Sequence, residues 1–190
     1  MKYFEDLLKD RKNPHEIDSE LIIRKMLENN TNYSYEFQKN GQYDYDIGVY
    51  KYYINAGNYE KVNICFIEVE LSEAWKTNYP NFWHNYSFLR RKVNVFDRQT
   101  NRFTDELKPN AEKTLYIIFN KTMTDAAAIQ IKDIPSVCYS KFQNVTGTGS
   151  IYDNTFWRTP LTSNHVTRGL ENTFQLIRKF ITEHSQTPTL

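Results

Sequence analysis

Residues 62–71 read Val-Asn-Ile-Cys-Phe-Ile-Glu-Val-Glu-Leu, an apolar run of the kind that fills a buried strand and then closes on two glutamates. An ionised carboxylate is expensive to bury unless something compensates it, so Glu68 and Glu70 constrain what surrounds this strand. A divalent cation is the most economical compensator. The preceding segment Tyr43-Asp44-Tyr45-Asp46-Ile47-Gly48-Val49-Tyr50 is itself an acidic strand pattern. Ala56-Gly57-Asn58 between the two reads as a turn.

Side chains two apart on a strand point the same way, about 6.5–7 Å apart. Glu68 and Glu70 therefore share a face. A hairpin around Ala56-Gly57 brings Asp46 beside them, and Asp44, of the same parity, is its rival. Three carboxylates converging on one side of a sheet suit a hard divalent cation with oxygen ligands. Mg²⁺ or Mn²⁺ held there can activate a water and stabilise charge on a phosphodiester.

Other elements follow from pattern. Asn13-Pro14-His15-Glu16 is a helix start, with Asn as N-cap and Pro at the first helical position. That helix runs to about Glu28, with Ile22, Ile23, Met26 and Leu27 on one face and Glu20 at its edge. Tyr33 to Gln38 alternates like a strand, and Asn40-Gly41 is a hairpin signal. Residues 72–85 are aromatic and irregular, with Trp75, Phe82 and Trp83 expected in packing. Phe88 to Phe96 reads as a strand and 97–113 as polar loop. Thr114 to Asn120 is a second buried strand, Ala126 to Ile131 another, and Thr167 to Glu183 an amphipathic helix through Leu170, Phe174, Ile177 and Ile181. The order predicts one α/β domain over 1–190.

Helix with Glu, strand with Asp, strand ending Glu-x-Glu: this layout resembles the PD-(D/E)XK nuclease superfamily over roughly residues 14–120. The wider string of Glu-Val-Glu, Trp75, Tyr79-Pro80, Arg90-Arg91-Lys92 and 115–120 is also similar to small phage and bacterial proteins. The superfamily resemblance implies a restriction-endonuclease-like mixed central sheet flanked by helices and a metal-dependent DNA endonuclease. It implies Asp46 and Glu68 as metal ligands, with Glu70 beside them and Glu20 completing the shell. Glu70 stands where the family's lysine is usual, and Lys92 or Arg91 is the candidate to take over that role.

Arg90, Arg91, Lys92, Arg98 and Arg102 put five basic residues in thirteen against the single acid Asp97. In a strand, Arg90 and Lys92 would share one face. Such a stripe suits phosphate contacts, which supply most non-specific affinity for DNA. The alternative is a non-catalytic nuclease-fold module binding DNA or protein, for example a phage-encoded inhibitor or scaffold. A homodimer cutting two strands is compatible with the enzyme reading, but no residue pattern marks a dimer face. A glycosidase is disfavoured because Glu68 and Glu70, neighbours on one strand, cannot flank a sugar ring from opposite sides.

Several classes are excluded. With 24 Lys and Arg against 23 Asp and Glu, the chain is no diffuse polycation. Cys65 and Cys138 sit in apolar stretches as buried thiols rather than a disulfide framework, and with no signal-peptide pattern the expected location is the cytoplasm. No apolar run approaches the ~18–20 residues of a membrane span. The four histidines show no metal-ligand spacing, and no Gly-rich phosphate loop or G-x-S-x-G is present.

Overall fold

The computed structural model of the chain describes residues 35–39, 45–55, 57–72, 74–77, 79, 83–100, 102–142 and 155–186. The helix expected over 14–28, with Glu20, lies outside them, as do Asp44 and Phe82.

The fold is mixed α/β. Its centre is a six-stranded sheet built from β1 (Tyr35–Lys39), β2 (Ile47–Asn55), β3 (Asn58–Ser72), β7 (Thr114–Asn120), β8 (Ala126–Gln130) and β11 (Thr167–Arg168), in the order β1-β2-β3-β7-β8-β11. β2 runs antiparallel to both β1 and β3. β3 and β7 are parallel, and β8 and β11 return to antiparallel pairing. The parallel pair demands a crossover. It is supplied by β4 (Asn85–Leu89), a single helical turn α1 (Arg90–Val93), and the hairpin of β5 (Asn94–Asp97) with β6 (Arg102–Leu107). After β8 come a second helical turn α2 (Ile134–Val137), then β9 (Tyr139–Phe142) and β10 (Thr155–Pro160); β10 joins β4 and β9 in a small second sheet. The chain closes on helix α3 (Leu170–Ser185).

The two faces of the central sheet are covered differently. Alternate residues Cys65, Ile67, Val69 and Leu71 of β3, with Leu115, Ile117 and Phe119 of β7, pack against Phe174, Ile177, Phe180 and Ile181 of α3. Phe174, Ile177 and Ile181 fall at i, i+3 and i+7, with Phe180 three residues after Ile177, and this apolar stripe makes α3 a covering helix. On the opposite face Tyr116 and Ile118 of β7 and Ala127 and Ile129 of β8 meet Tyr86 and Phe88 of β4, Val93 of α1 and Trp157 of β10. The helical flank expected on both faces is thus, among the described residues, one long helix on one side and a short sheet on the other. The alanines of β8 serve both layers: Ala126 and Ala128 face α3, and Ala127 faces the crossover.

Three segments differ from the sequence reading. Thr167–Arg168, expected to open the last helix, instead pair with Ala127–Ala128 of β8 as β11, and the helix starts at Leu170. Phe88–Phe96 is not one strand, because α1 interrupts it. Two steps along a helix rotate a side chain by about 200°, so Arg90 and Lys92 leave α1 in opposite directions instead of sharing a face. Arg90 turns to the Thr104 carbonyl and the Asp105 carboxylate, its guanidinium 6.0 Å from the Trp157 ring centre. Residues 97–113 are not all loop. Asp97 accepts hydrogen bonds from Gln99 N (2.8 Å) and Thr100 Oγ1 (2.7 Å), and this side-chain turn launches β6 back along β5. The hairpin lies at the surface, which is why its sequence is polar.

Candidate functional site

The register of β2 on β3 sets Ile47 opposite Ile67, with Asp46 at the bend just before β2. Asp46 and Glu68 then clamp each other through the backbone. The Asp46 amide donates to Glu68 Oε2 at 3.1 Å, and the Val69 amide donates to Asp46 Oδ2 at 2.9 Å. Both carboxylates are aimed by these bonds towards one point on the crossover face of the sheet.

Lys92 occupies that point. Its Nζ lies 2.5 Å from Glu68 Oε1, 3.0 Å from Asp46 Oδ2 and 2.6 Å from the Val69 carbonyl oxygen. The three donors of one ammonium are matched to three oxygens. The Glu68 side chain is 3% exposed, that of Lys92 20% and that of Asp46 38%. Asp46 is therefore the open side of the site and Glu68 its floor.

Burial pushes the Glu68 carboxyl up to about 7, against the pull of Lys92 and with the help of the Asp46 charge. Burial also works against the charge on Lys92, but Glu68 and Asp46 outweigh it and hold the ammonium above the ordinary lysine value. The direction that follows for the pair is plain: Lys92 carries its proton throughout the neutral range, and Glu68 is the group that exchanges one there.

Glu70 shares the face of Glu68 but has another partner. The Tyr116 hydroxyl donates to Glu70 Oε2 and accepts the Leu89 amide at 3.1 Å. Burial raises the Glu70 carboxyl and the Tyr116 hydrogen bond opposes it. Tyr116 itself is fully buried, and burial beside Glu70 drives its phenol well upward. Glu70 thus ties β3 to the start of α1 through Tyr116, one connection away from Lys92.

The structure brings Asp46, Glu68 and Lys92 together and sets Glu70 next to them on Tyr116. The remaining basic residues are dispersed: Arg90 points away, Arg91 is exposed on α1, and Arg98 and Arg102 are exposed on the β5–β6 hairpin. Among the described residues no three His, Cys, Asp or Glu side chains gather as a metal site. The donors here are instead two carboxylates and a backbone carbonyl. That carbonyl, Val69 O, is the participant a side-chain motif does not reveal; the only hint was its place between the two glutamates. All three oxygens are hard donors that already surround a cation, the Lys92 ammonium, so the set suits Mg²⁺ or Mn²⁺ in kind.

One other expectation is placed, and the end of β7 gains a role. Trp75 is 1% exposed and packs edge-on to Tyr79, with ring centres 4.9 Å apart, as core. Asn120, at the end of β7, donates to the Lys76 and Thr77 carbonyls and accepts from the Thr124 and Asp125 amides, so it organises a turn. Cys65 and Cys138 are free thiols, and no described helix is long and apolar enough to cross a membrane.

Comparison of the chain with protein-family models, with curated proteins and with solved structures finds no match.

Proposed function

We propose that the chain is a metal-dependent nuclease with a restriction-endonuclease-like fold, hydrolysing DNA phosphodiester bonds at the Asp46–Glu68–Lys92 centre. The observation that carries the reading is the convergence of Asp46 Oδ2, Glu68 Oε1 and Val69 O on one cation-sized point at the open side of a mixed sheet. Asp46, Glu68 and the Val69 carbonyl would hold Mg²⁺ or Mn²⁺, and Glu70 and Glu20 belong to the same proposal as further acids of the shell. A bound divalent ion would supply activation of water and neutralisation of charge on the scissile phosphate.

The chain's own residues have definite parts to play. The Asp46 carboxylate, the most exposed of the three groups, meets the phosphate side. Lys92 brings a positive charge that stays on through the neutral range, suited to a phosphoryl oxygen or the attacking water. Glu68, raised to about 7 by burial in the metal-free site, gives up its proton when it takes the ion, so metal binding strengthens as pH rises through neutrality. Placing a lysine from the crossover beside the two acids is compatible with Glu70 standing in the usual lysine position.

The test is a cleavage assay of the full chain and of Glu68→Ala on supercoiled, duplex, single-stranded and branched DNA, with Mg²⁺ and with Mn²⁺. Cutting by the wild type alone supports the reading. No cutting of any substrate with either metal overturns it.

A second reading has one observation in its favour. The Lys92 ammonium already bridges both acids and fills the point between them, as a structural ion pair in a retired site would. On this reading the chain is a non-catalytic DNA- or protein-binding module. Salt-sensitive DNA binding without metal-dependent cutting would select it.

A further inference from the structure

The face of the sheet that carries Asp46 and Glu68 does not end at the site. Along β2, Gly48, Tyr50, Tyr52 and Ile54 continue it, since residues two apart share a face. Their partners on β3 are Asn63 opposite Tyr50, Lys61 opposite Tyr52 and Tyr59 opposite Ile54. A register irregularity beside Val49 and Tyr50 keeps this pairing in step after Phe66. Among the described residues, the crossover covers the β7–β8 end of this face and leaves the tip of the β2–β3 hairpin exposed. Tyr52 is 44% exposed, Ile54 72% and Tyr59 78%. The other side of the same hairpin is engaged, with the Tyr53 hydroxyl donating to the Ser185 carbonyl at 3.2 Å.

Lysines stand over the aromatic rings of this face. Lys113 Nζ lies 5.4 Å from the Phe66 ring centre, Lys108 Nζ 5.6 Å from that of Tyr45, and Lys61 Nζ 4.5 Å from that of Tyr50 and 5.9 Å from that of Tyr52. One acid, Glu36 of β1, balances Lys61 at 2.9 Å and accepts the Tyr52 hydroxyl, which fixes that ring in place. From Asp46 to Tyr52 the track is about 20 Å long. Tyr52 and Tyr59 are the exposed rings of the track, and Lys61 and Lys113 flank its path towards the acids. Exposed rings that stack on bases, with ammonium groups that meet the phosphates, are the pattern that holds unpaired bases. A duplex keeps its bases inside and gains nothing from exposed tyrosines.

We infer that single-stranded DNA lies along this face, its bases stacking on Tyr59 and Tyr52 and its phosphates passing Lys61 and Lys113 to reach the Asp46–Glu68–Lys92 centre. The inference rests on reading that centre as the nucleic-acid site and specifies its substrate as a strand with unpaired bases. The charge complementarity of the lysines and the continuity of the face with the acids favour this occupant over a second copy of the chain.

The experiment is fluorescence anisotropy of labelled dT20 and of a 20-base-pair duplex with the full chain, in EDTA and low salt. Leaving out metal separates binding from cleavage, so the outcome is independent of the nuclease assay. The expected result is single-strand binding at least ten-fold tighter than duplex binding. Tyr52→Ala with Tyr59→Ala lowers the single-strand affinity by roughly ten-fold or more, while Tyr52→Phe with Tyr59→Phe keeps it within about three-fold. Both positions are exposed, and thermal melting checks that the variants fold. Equal or tighter duplex binding overturns the proposal, as does an alanine pair that binds dT20 like the wild type. Sedimentation that shows a dimer dispersed by the alanine pair, with dT20 affinity unmoved, assigns the face to a second copy and also overturns it.

Discussion

Lys92 Nζ and Glu68 Oε1 meet at 2.5 Å from positions 24 residues apart, one on a single helical turn and the other on the floor of the central sheet. Removing one member of a buried pair costs more than the pair is worth, because the other charge stays behind. Lys92→Met is expected to destabilise the chain by about 3 kcal/mol at pH 8.5. At pH 5.5, where Glu68 carries a proton, the loss is expected to be less than half of that. Urea unfolding at the two pH values measures the difference. An equal loss at both would mean that the pair is not coupled through Glu68 ionisation.

The upward shift of Glu68 carries its own pH dependence. The folded value, about 7, lies above the ordinary carboxylate value of 4.5. The folded state therefore binds the proton more tightly, and this contribution is full below pH 4.5 and lost as pH rises through 7. It amounts to about 3 kcal/mol across that window. Glu68→Gln should remove this part of the slope, leaving the falls in the same direction that come from Glu70 and Asp125. Glu36 and Asp97, held below the carboxylate range by their hydrogen bonds, act only at lower pH. Unfolding free energies at pH 4.5, 6 and 7.5 for both proteins decide it, and parallel curves would refute the assignment.

If Asp46, Glu68 and Val69 O hold a divalent cation, that ion and the Lys92 ammonium contend for the same three oxygens. Calorimetric titration with Mn²⁺ at pH 8 should show binding by the wild type and loss of it in Asp46→Asn and Glu68→Gln. Lys92→Met should bind Mn²⁺ roughly ten-fold more tightly, since one neighbouring positive charge is gone. A Lys92→Met protein that binds more weakly than the wild type would make the lysine a support of the metal and not its competitor.

The sequence made the meander legible because its strands are patterned simply: β3 and β7 are apolar runs, β2 alternates, and α3 repeats at helical spacing. The approach of Asp46 to Glu68 followed from the Gly57 turn, whose φ of +84° suits glycine. Three things were not legible. The helical turn at Arg90–Val93 is shorter than any periodicity can mark, and it alone separates Arg90 from Lys92. The Val69 carbonyl is backbone, which no residue type announces. The β9–β10–β4 sheet is assembled from short strands far apart in the chain, and Trp157 Nε1 of β10 ties it to β5 through Asn94 Oδ1 at 2.6 Å. Lys92 was reachable as one of two candidates because a basic residue was missing at position 70; the choice between it and Arg91 depended on the turn.

Glu70 can be separated from the rest of the site through Tyr116. The Tyr116 hydroxyl joins the Glu70 carboxylate to the Leu89 amide in a buried setting. Tyr116→Phe leaves both without this partner, and the expected cost is about 2–3 kcal/mol, the penalty for stranding buried polar groups. Glu70→Gln keeps an acceptor for the hydroxyl and removes the charge that burial opposes, so its cost should be below about 1 kcal/mol. Chemical unfolding of the two variants tests the order. If Glu70 serves only to hold Tyr116 and the start of α1, Glu70→Gln also keeps the Mn²⁺ affinity of the wild type. If Glu70 belongs to the metal shell, Glu70→Gln loses that affinity while its stability is retained, and Tyr116→Phe shows the reverse. The two variants together therefore assign the one acid that stands where a lysine would be expected.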